Sequence, residues 1–100
     1  MYYHVILFKF ATTLTSDEAY HLFHEIGELQ KEISQIVSYH FGANDGANAH
    51  NKTFSHCFVM TFANKKDRYL YQNHPLHQAF IKNRLEPLLD DAIVLDFDGL

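Results

Sequence analysis

Apolar positions fall in two rhythms along this chain, and the switches between them mark out its elements. From Tyr2 to Phe10 only His4 and Lys9 interrupt an apolar and aromatic run, with no Gly or Pro. A strand alternates its side chains, so His4, Ile6, Phe8 and Phe10 share one face, and Tyr3, Val5 and Leu7 the other. Both faces are apolar, which predicts a strand covered on both sides. From Thr15 the rhythm becomes helical. Leu22, Phe23, Ile26, Leu29, Gln30 and Ile33 form a stripe with one polar interruption. Thr15 and Glu18 have capping-box spacing, which predicts a helix over 15–33.

Residues 36–41 and 53–62 return to strand patterning. His56, Phe58, Met60 and Phe62 share one face of the second of these, and Cys57, Val59 and Thr61 the other. The intervening 42–52, GANDGANAHNK, read as the loop of a long hairpin. Residues 65–72 predict a short helix capped by Asn64 with Asp67. Pro75 suits the first turn of a second helix, running to about Leu89, and pushes His74 toward an extended conformation. Residues 92–97 close the pattern as a strand.

The order strand, helix, strand, strand, helix, strand predicts an α+β fold over a single domain, residues 1–100. The simple solution is a ferredoxin-like βαββαβ unit: a four-stranded antiparallel sheet with both helices on one face. The helices leave the other face, with Tyr3, Val5 and Leu7, uncovered. A second copy covers it sheet on sheet, giving a homodimer and a dimeric α/β barrel.

Composition narrows the partners. The formal charge of −4 is spread without blocks, which argues against a nucleic-acid surface. No apolar run approaches the roughly 20 residues that span a bilayer, and no signal-peptide pattern opens the chain. One cysteine, Cys57, excludes an intrachain disulfide and points to the reducing cytoplasm. It faces away from His56 with no activating base, as an inert buried thiol would.

Eight histidines are the oddity. Residues 71–77, YQNHPLH, put a phenol and two imidazoles at the break between two helices. Strand parity adds His4 and His56 beside Ile6, Phe8 and Phe58, level with His77. Polar groups converging in a partly apolar cavity are the signature of a small-molecule site. Taken singly, each has a plainer reading: His4, His56 and Tyr71 as satisfied core residues, His74 as a helix cap beside Pro75. His21 and His24 lie on the polar side of the first helix, and His40 and His50 in or near the hairpin loop, all read as surface. His74 and His77 have i, i+3 spacing but no carboxylate or thiolate beside them, so no metal is expected. No GxGxxG, P-loop or Schiff-base lysine motif is present, so no cofactor is expected either.

At these residues the chain resembles the stress-responsive dimeric α/β-barrel (Dabb) family. The markers are His4-Val5-Ile6-Leu7-Phe8-Lys9-Phe10, Ser55-His56, Thr61-Phe62, His74-Pro75-Leu76-His77-Gln78-Ala79-Phe80, Pro87-Leu88-Leu89 and Val94-Leu95-Asp96-Phe97. The resemblance covers almost the whole chain and implies a ferredoxin-like protomer that dimerises into a barrel. The family's best-understood enzyme type is a plant polyketide cyclase. By that likeness His77 is the catalytic base and Tyr71 positions the substrate. His4 and His56 match the cyclase's cavity histidines and then bind the substrate, and Ile6, Phe8, Leu22, Phe23, Ile26, Phe58 and Phe80 wall the cavity; His74, at the helix break, is added to the substrate-binding set from its position. The implied chemistry is proton abstraction next to a carbonyl, driving an aldol-type ring closure or a related lyase step on a small apolar carbonyl compound. Gln72, Ile81 and Gly27 depart from the cyclase pattern, so cavity shape does not carry over. Two alternatives stay open: a non-catalytic stress-associated or ligand-binding dimer, and a cofactor-free oxygenase.

Overall fold

Strand β1 (Tyr2–Phe10) lies inside the sheet because its neighbours can cover both of its edges. The computed structural model describes residues 1–46 and 52–100; His50 lies outside the described residues. Around β1 run α1 (Ser16–Glu32), β2 (Ile36–Ala43), β3 (His56–Phe62), α2 (Lys65–Gln72), α3 (Pro75–Phe80) and β4 (Leu89–Asp98). The sheet order is β2-β3-β1-β4, with every neighbouring pair antiparallel. This is the ferredoxin-like arrangement, with the helices on one face.

The core lies between the sheet and α1. Leu22, Phe23 and Ile26 of the helix, with Ile33 just past its end, pack over Ile6, Phe8, Phe58, Met60 and Phe62. Burying a side chain such as Phe8 or Phe62 contributes about 1.5–3 kcal/mol. The capping box starts α1 as its spacing predicts. The Glu18 amide donates to Thr15 Oγ1 at 3.1 Å, and the Thr15 amide donates to Glu18 Oε1 at 2.9 Å. On the opposite face Tyr3, Val5 and Leu7 are half-buried. Beside them on β4, Ile93, Leu95 and Phe97 are 39%, 58% and 49% exposed. Tyr3 and Phe97 stack at 4.9 Å.

Four boundaries differ from the pattern-based reading. Strand β2 runs on to Ala43, two residues into the expected loop, because Gly42 and Ala43 still pair with Cys57 and His56. Strand β3 starts at His56, not at residue 53, because Lys52 and Thr53 sit at φ 51° and 67°. That left-handed backbone cannot continue a strand. Strand β4 starts three residues early, since Leu89 pairs with Phe10 past a register shift. The last helix does not run evenly from Pro75 to Leu89. After Phe80 it widens into a π turn over Ile81–Leu85, closed by the Glu86 amide on the Ile81 carbonyl, and then tightens to a 3₁₀ turn over Glu86–Leu88. Pro87 has no amide to donate, so regular α hydrogen bonding ends there.

Candidate active site

The helix break does specific geometric work. The side chain of Asn73 donates to the Tyr69 carbonyl at 3.0 Å, closing α2. His74 is extended, φ −69° and ψ 133°, and its Nδ1 accepts from the Leu76 amide at 3.1 Å. The end of a helix leaves carbonyls without partners. Here the Gln72 carbonyl accepts from His77 Nδ1 at 3.1 Å and from the Gln78 side chain at 2.7 Å. Since a carbonyl only accepts, His77 carries its proton on Nδ1, and Nε2 keeps a lone pair. Tyr71, in the last turn of α2, and His77, in the first turns of α3, thereby meet with ring centroids 4.2 Å apart.

Tyr71 is 2% exposed and packs on Phe62 at 5.3 Å. Its hydroxyl makes no hydrogen bond to another described residue. Burial pushes its pKa up, against the nearby Arg68 charge, so it stays a phenol at neutral pH. Burial pushes His77 down, helped by Arg68 and His74 and opposed by the hydrogen bond to Gln72. His77 is thus a neutral base at pH 7.

Behind this pair lies a charged chain. His4, 2% exposed, donates from Nδ1 to Asp96 Oδ1 at 2.6 Å. Asp96 also accepts from Arg68 Nε at 3.2 Å, and Arg68 reaches the Gln72 side chain at 3.4 Å. The Arg68 guanidinium sits 5.7 Å from the Tyr71 ring centroid. Partial burial opposes ionisation of Asp96, but His4 and Arg68 together hold it below the ordinary carboxylate range. His4 is pushed down to about 4, first by burial and then by Arg68, despite its bond to Asp96. Arg68 already balances the carboxylate, so a second positive charge gains little. The sequence reading did not single out Arg68 or Asp96. Two signals pointed to them. Asp96 is the one charge in the otherwise apolar stretch 92–97, and Arg68 precedes Tyr71 by one helical turn, but neither names its partner until β4 lies beside β1.

Tyr71 and His77 share a small cavity of about 10 Å³ with Ile6, Ile26, Phe58 and Phe80. Leu29 of α1 and Ile81 and Leu85 of the π turn complete it. That is room for about one water molecule. His4 stands just behind, 5.5 Å from Phe58 and 6.1 Å from Tyr71.

The other expected site residues lie elsewhere. His56 shares the helix-side face with His4 but pairs with Phe8, whereas His4 pairs with Met60. The four residue steps from His4 to Phe8 separate the two imidazoles by about 13 Å along the strand. His56 instead accompanies Phe23 in a separate cleft. Phe8 is buried between the two, 5.1 Å from Phe23 and 5.6 Å from Phe58. His74 is committed to capping α3 and does not line the cavity. His21, His24 and His40 are exposed. Cys57 is half-buried on the outward face and not enclosed as expected; burial pushes its thiol pKa up. Among the described residues no three His, Cys, Asp or Glu side chains cluster as a metal site, and no helix is long and apolar enough to cross a membrane.

Comparison with known proteins agrees with this architecture. A stress-response A/B barrel domain-containing protein of Arabidopsis thaliana is 27% identical over 95 residues, covering 94% of this chain and 82% of its own. A crystal structure of another A. thaliana protein superposes with a TM-score of 0.92 at 23% identity, covering 100% of this chain and 96% of that one. A dimeric ferredoxin-like protein of unknown function from Thermobifida fusca is 26% identical, with a TM-score of 0.79 over 98% and 90% of the two chains. The hydroxynitrile lyase of Passiflora edulis shares the fold at 19% identity, with a TM-score of 0.81 over 96% and 90%. The sequence pattern of the stress responsive A/B barrel domain matches residues 2–98, and the chain belongs to that family, Dabb.

Proposed function

We propose that this protein is a homodimer, paired through its outer sheet face, whose Tyr71–His77 cavity is a cofactor-free acid–base site that makes or breaks a carbon–carbon bond beside a carbonyl. The observation that carries the reading is the hydrogen bond from His77 Nδ1 to the Gln72 carbonyl. It leaves the Nε2 lone pair as the base, next to a Tyr71 hydroxyl that has no other partner among the described residues.

In the lyase direction, Nε2 takes the hydroxyl proton of a carbinol. The oxygen electrons form the carbonyl, the adjacent C–C bond breaks, and the leaving carbanion keeps the bond's electron pair and takes the proton from Nε2. In the aldol-type ring closure the order reverses. Nε2 takes a C–H proton beside one carbonyl, the carbanion adds to a second, Tyr71 donates a hydrogen bond to the oxygen as charge grows there, and the resulting alkoxide takes the proton back from Nε2. Arg68, Asp96 and His4 position the pair and keep the site neutral overall. The fold shared with a hydroxynitrile lyase supports this class of chemistry.

The cavity volume of about 10 Å³ favours a second reading, a non-catalytic dimer in which Tyr71 and His77 are packed core. The catalytic reading requires the half-exposed Phe80 and the π turn to swing outward around a substrate. Such wide turns recur at functional sites. Homodimerisation is supported by the apolar outer face and by the dimeric T. fusca relative. A lone free thiol suits a reducing, cytoplasmic setting.

The test is turnover of a panel of cyanohydrins and β-polyketide thioesters by wild type, His77→Ala and Tyr71→Phe. His77→Ala is expected to lose about 10²–10⁴ in rate, and Tyr71→Phe less. No turnover or binding on the panel moves the assignment to the non-catalytic reading. Light scattering at micromolar concentration is expected to give twice the chain mass; a stable monomer removes the dimer.

A further inference from the structure

We infer that the cleft around His56 is a second small-molecule site, shaped for an uncharged planar aromatic compound bearing a hydroxyl or carbonyl group, and separate from the Tyr71–His77 cavity.

Its size is the first argument. The cleft between the start of α1 and the ends of β2 and β3 holds about 410 Å³. Small-molecule pockets usually run about 300–1,000 Å³. Its walls are the second. Phe41 stacks on Phe23 at 5.5 Å with planes 12° apart, and His56 lies on Phe23 at 5.5 Å and 21°. Phe23, 1% exposed, is the covered backing of this wall, so a flat ligand would stack on the exposed parts of the outer rings, offset stacking being the favoured contact. Phe41 and Tyr20 keep 39% and 55% of their surface exposed, so aromatic area is left to cover.

The polar end is the third. Ser55 Oγ and His56 Nδ1 are 2.7 Å apart. If the hydroxyl donates to the ring, Nε2–H remains as donor and Oγ as acceptor. If Nδ1–H donates instead, the hydroxyl proton and the Nε2 lone pair remain. Either way the pair offers one donor and one acceptor, which a phenol or aryl carbonyl can use. Asn44 adds nothing here, because its amide is taken by the Phe54 carbonyl and the Gly46 amide.

Charge is the fourth. Among the described residues the lining contains no Lys, Arg, Asp or Glu. Burial pushes His56 down, so it is neutral at pH 7. An ionised ligand would lose its hydration without a counter-charge. The buried Phe8, in contact with Phe23 on one side and Phe58 on the other, separates this cleft from the Tyr71–His77 cavity.

The experiment is an aromatic-region NMR titration of the full chain with phenol, benzoate and benzylamine. Phenol is expected to move the Phe23, Phe41 and His56 ring signals and to leave Tyr71 and His77 in place. The two charged probes are expected to bind about tenfold more weakly or not at all. Ser16→Trp, at the exposed start of α1, fills the mouth without touching the core and is expected to abolish the phenol shifts. His56→Phe keeps the ring stack and loses the polar end, weakening phenol by about two- to tenfold. No phenol shift, shifts centred on Tyr71 and His77, equal binding of all three probes, or undiminished binding in both variants would each overturn the proposal. A failure here leaves the Tyr71–His77 reading untouched, because none of these residues lines that cavity.

Discussion

His4 and His56 point from neighbouring strands to the same face of one sheet, yet they occupy two different environments. His4 sits where the α2–α3 break closes over the sheet, with Asp96, Arg68 and Tyr71 around it and almost no free volume. His56 sits where β3 begins, hydrogen-bonded among the described residues to the neighbouring Ser55 and packed on Phe23 and Phe10, in an open cleft. Side-chain parity assigns a face, but the ladder register assigns the position along it. What covers each position then decides whether an imidazole is enclosed and fixed or half-open.

The sharpest way to break this contrast is to remove the partition. Phe8 is fully buried between the two regions. Phe8→Ala is expected to cost about 3–5 kcal/mol in urea unfolding, as large aromatic truncations in a core do. It should also let phenol added at the His56 cleft perturb the Tyr71 and His77 signals. A loss below about 1 kcal/mol would mean that Phe8 is not the structural divider.

Acid sharpens the contrast from the other side. His4 is pushed down to about 4, whereas an unfolded histidine titrates near 6.5. The unfolded chain therefore takes up the proton first. Stability is complete above the unfolded pKa and falls as pH drops toward the folded one, by on the order of 2–3 kcal/mol from this group. His77 and His56 are shifted the same way and add to the slope. Unfolding free energies measured between pH 7.5 and 4.5 are expected to show this loss, and His4→Phe is expected to flatten it. An unchanged slope in His4→Phe would remove His4 as its main source.

Much of this was legible from residue order. Asn64 and Pro75 delimit α2 and start α3, the Thr15–Glu18 box starts α1, and alternation separates the faces of β1 and β3. The helix break that brings Tyr71 to His77 is marked in the sequence by His74-Pro75. Other features could not be read locally. The distance from His56 to His4 depends on strand register, which is a tertiary outcome. Arg68 and Asp96 look like surface charges until β4 lies beside β1 and α2 lies above both. Tyr39 was likewise not anticipated as a wall. Its hydroxyl donates to the Phe23 carbonyl at 2.8 Å, and its ring fills the space over Gly27, where an added Cβ would meet it at 3.1 Å.

The central claim is that His77 presents a free Nε2 lone pair beside Tyr71 at neutral pH. Long-range ¹H–¹⁵N NMR of the imidazoles across a pH titration reads this directly, without knowledge of a substrate. The predicted result is a neutral His77 at pH 7, protonated on Nδ1, titrating below the ordinary histidine value. A His77 found with its proton on Nε2, or charged at pH 7, would contradict the claim.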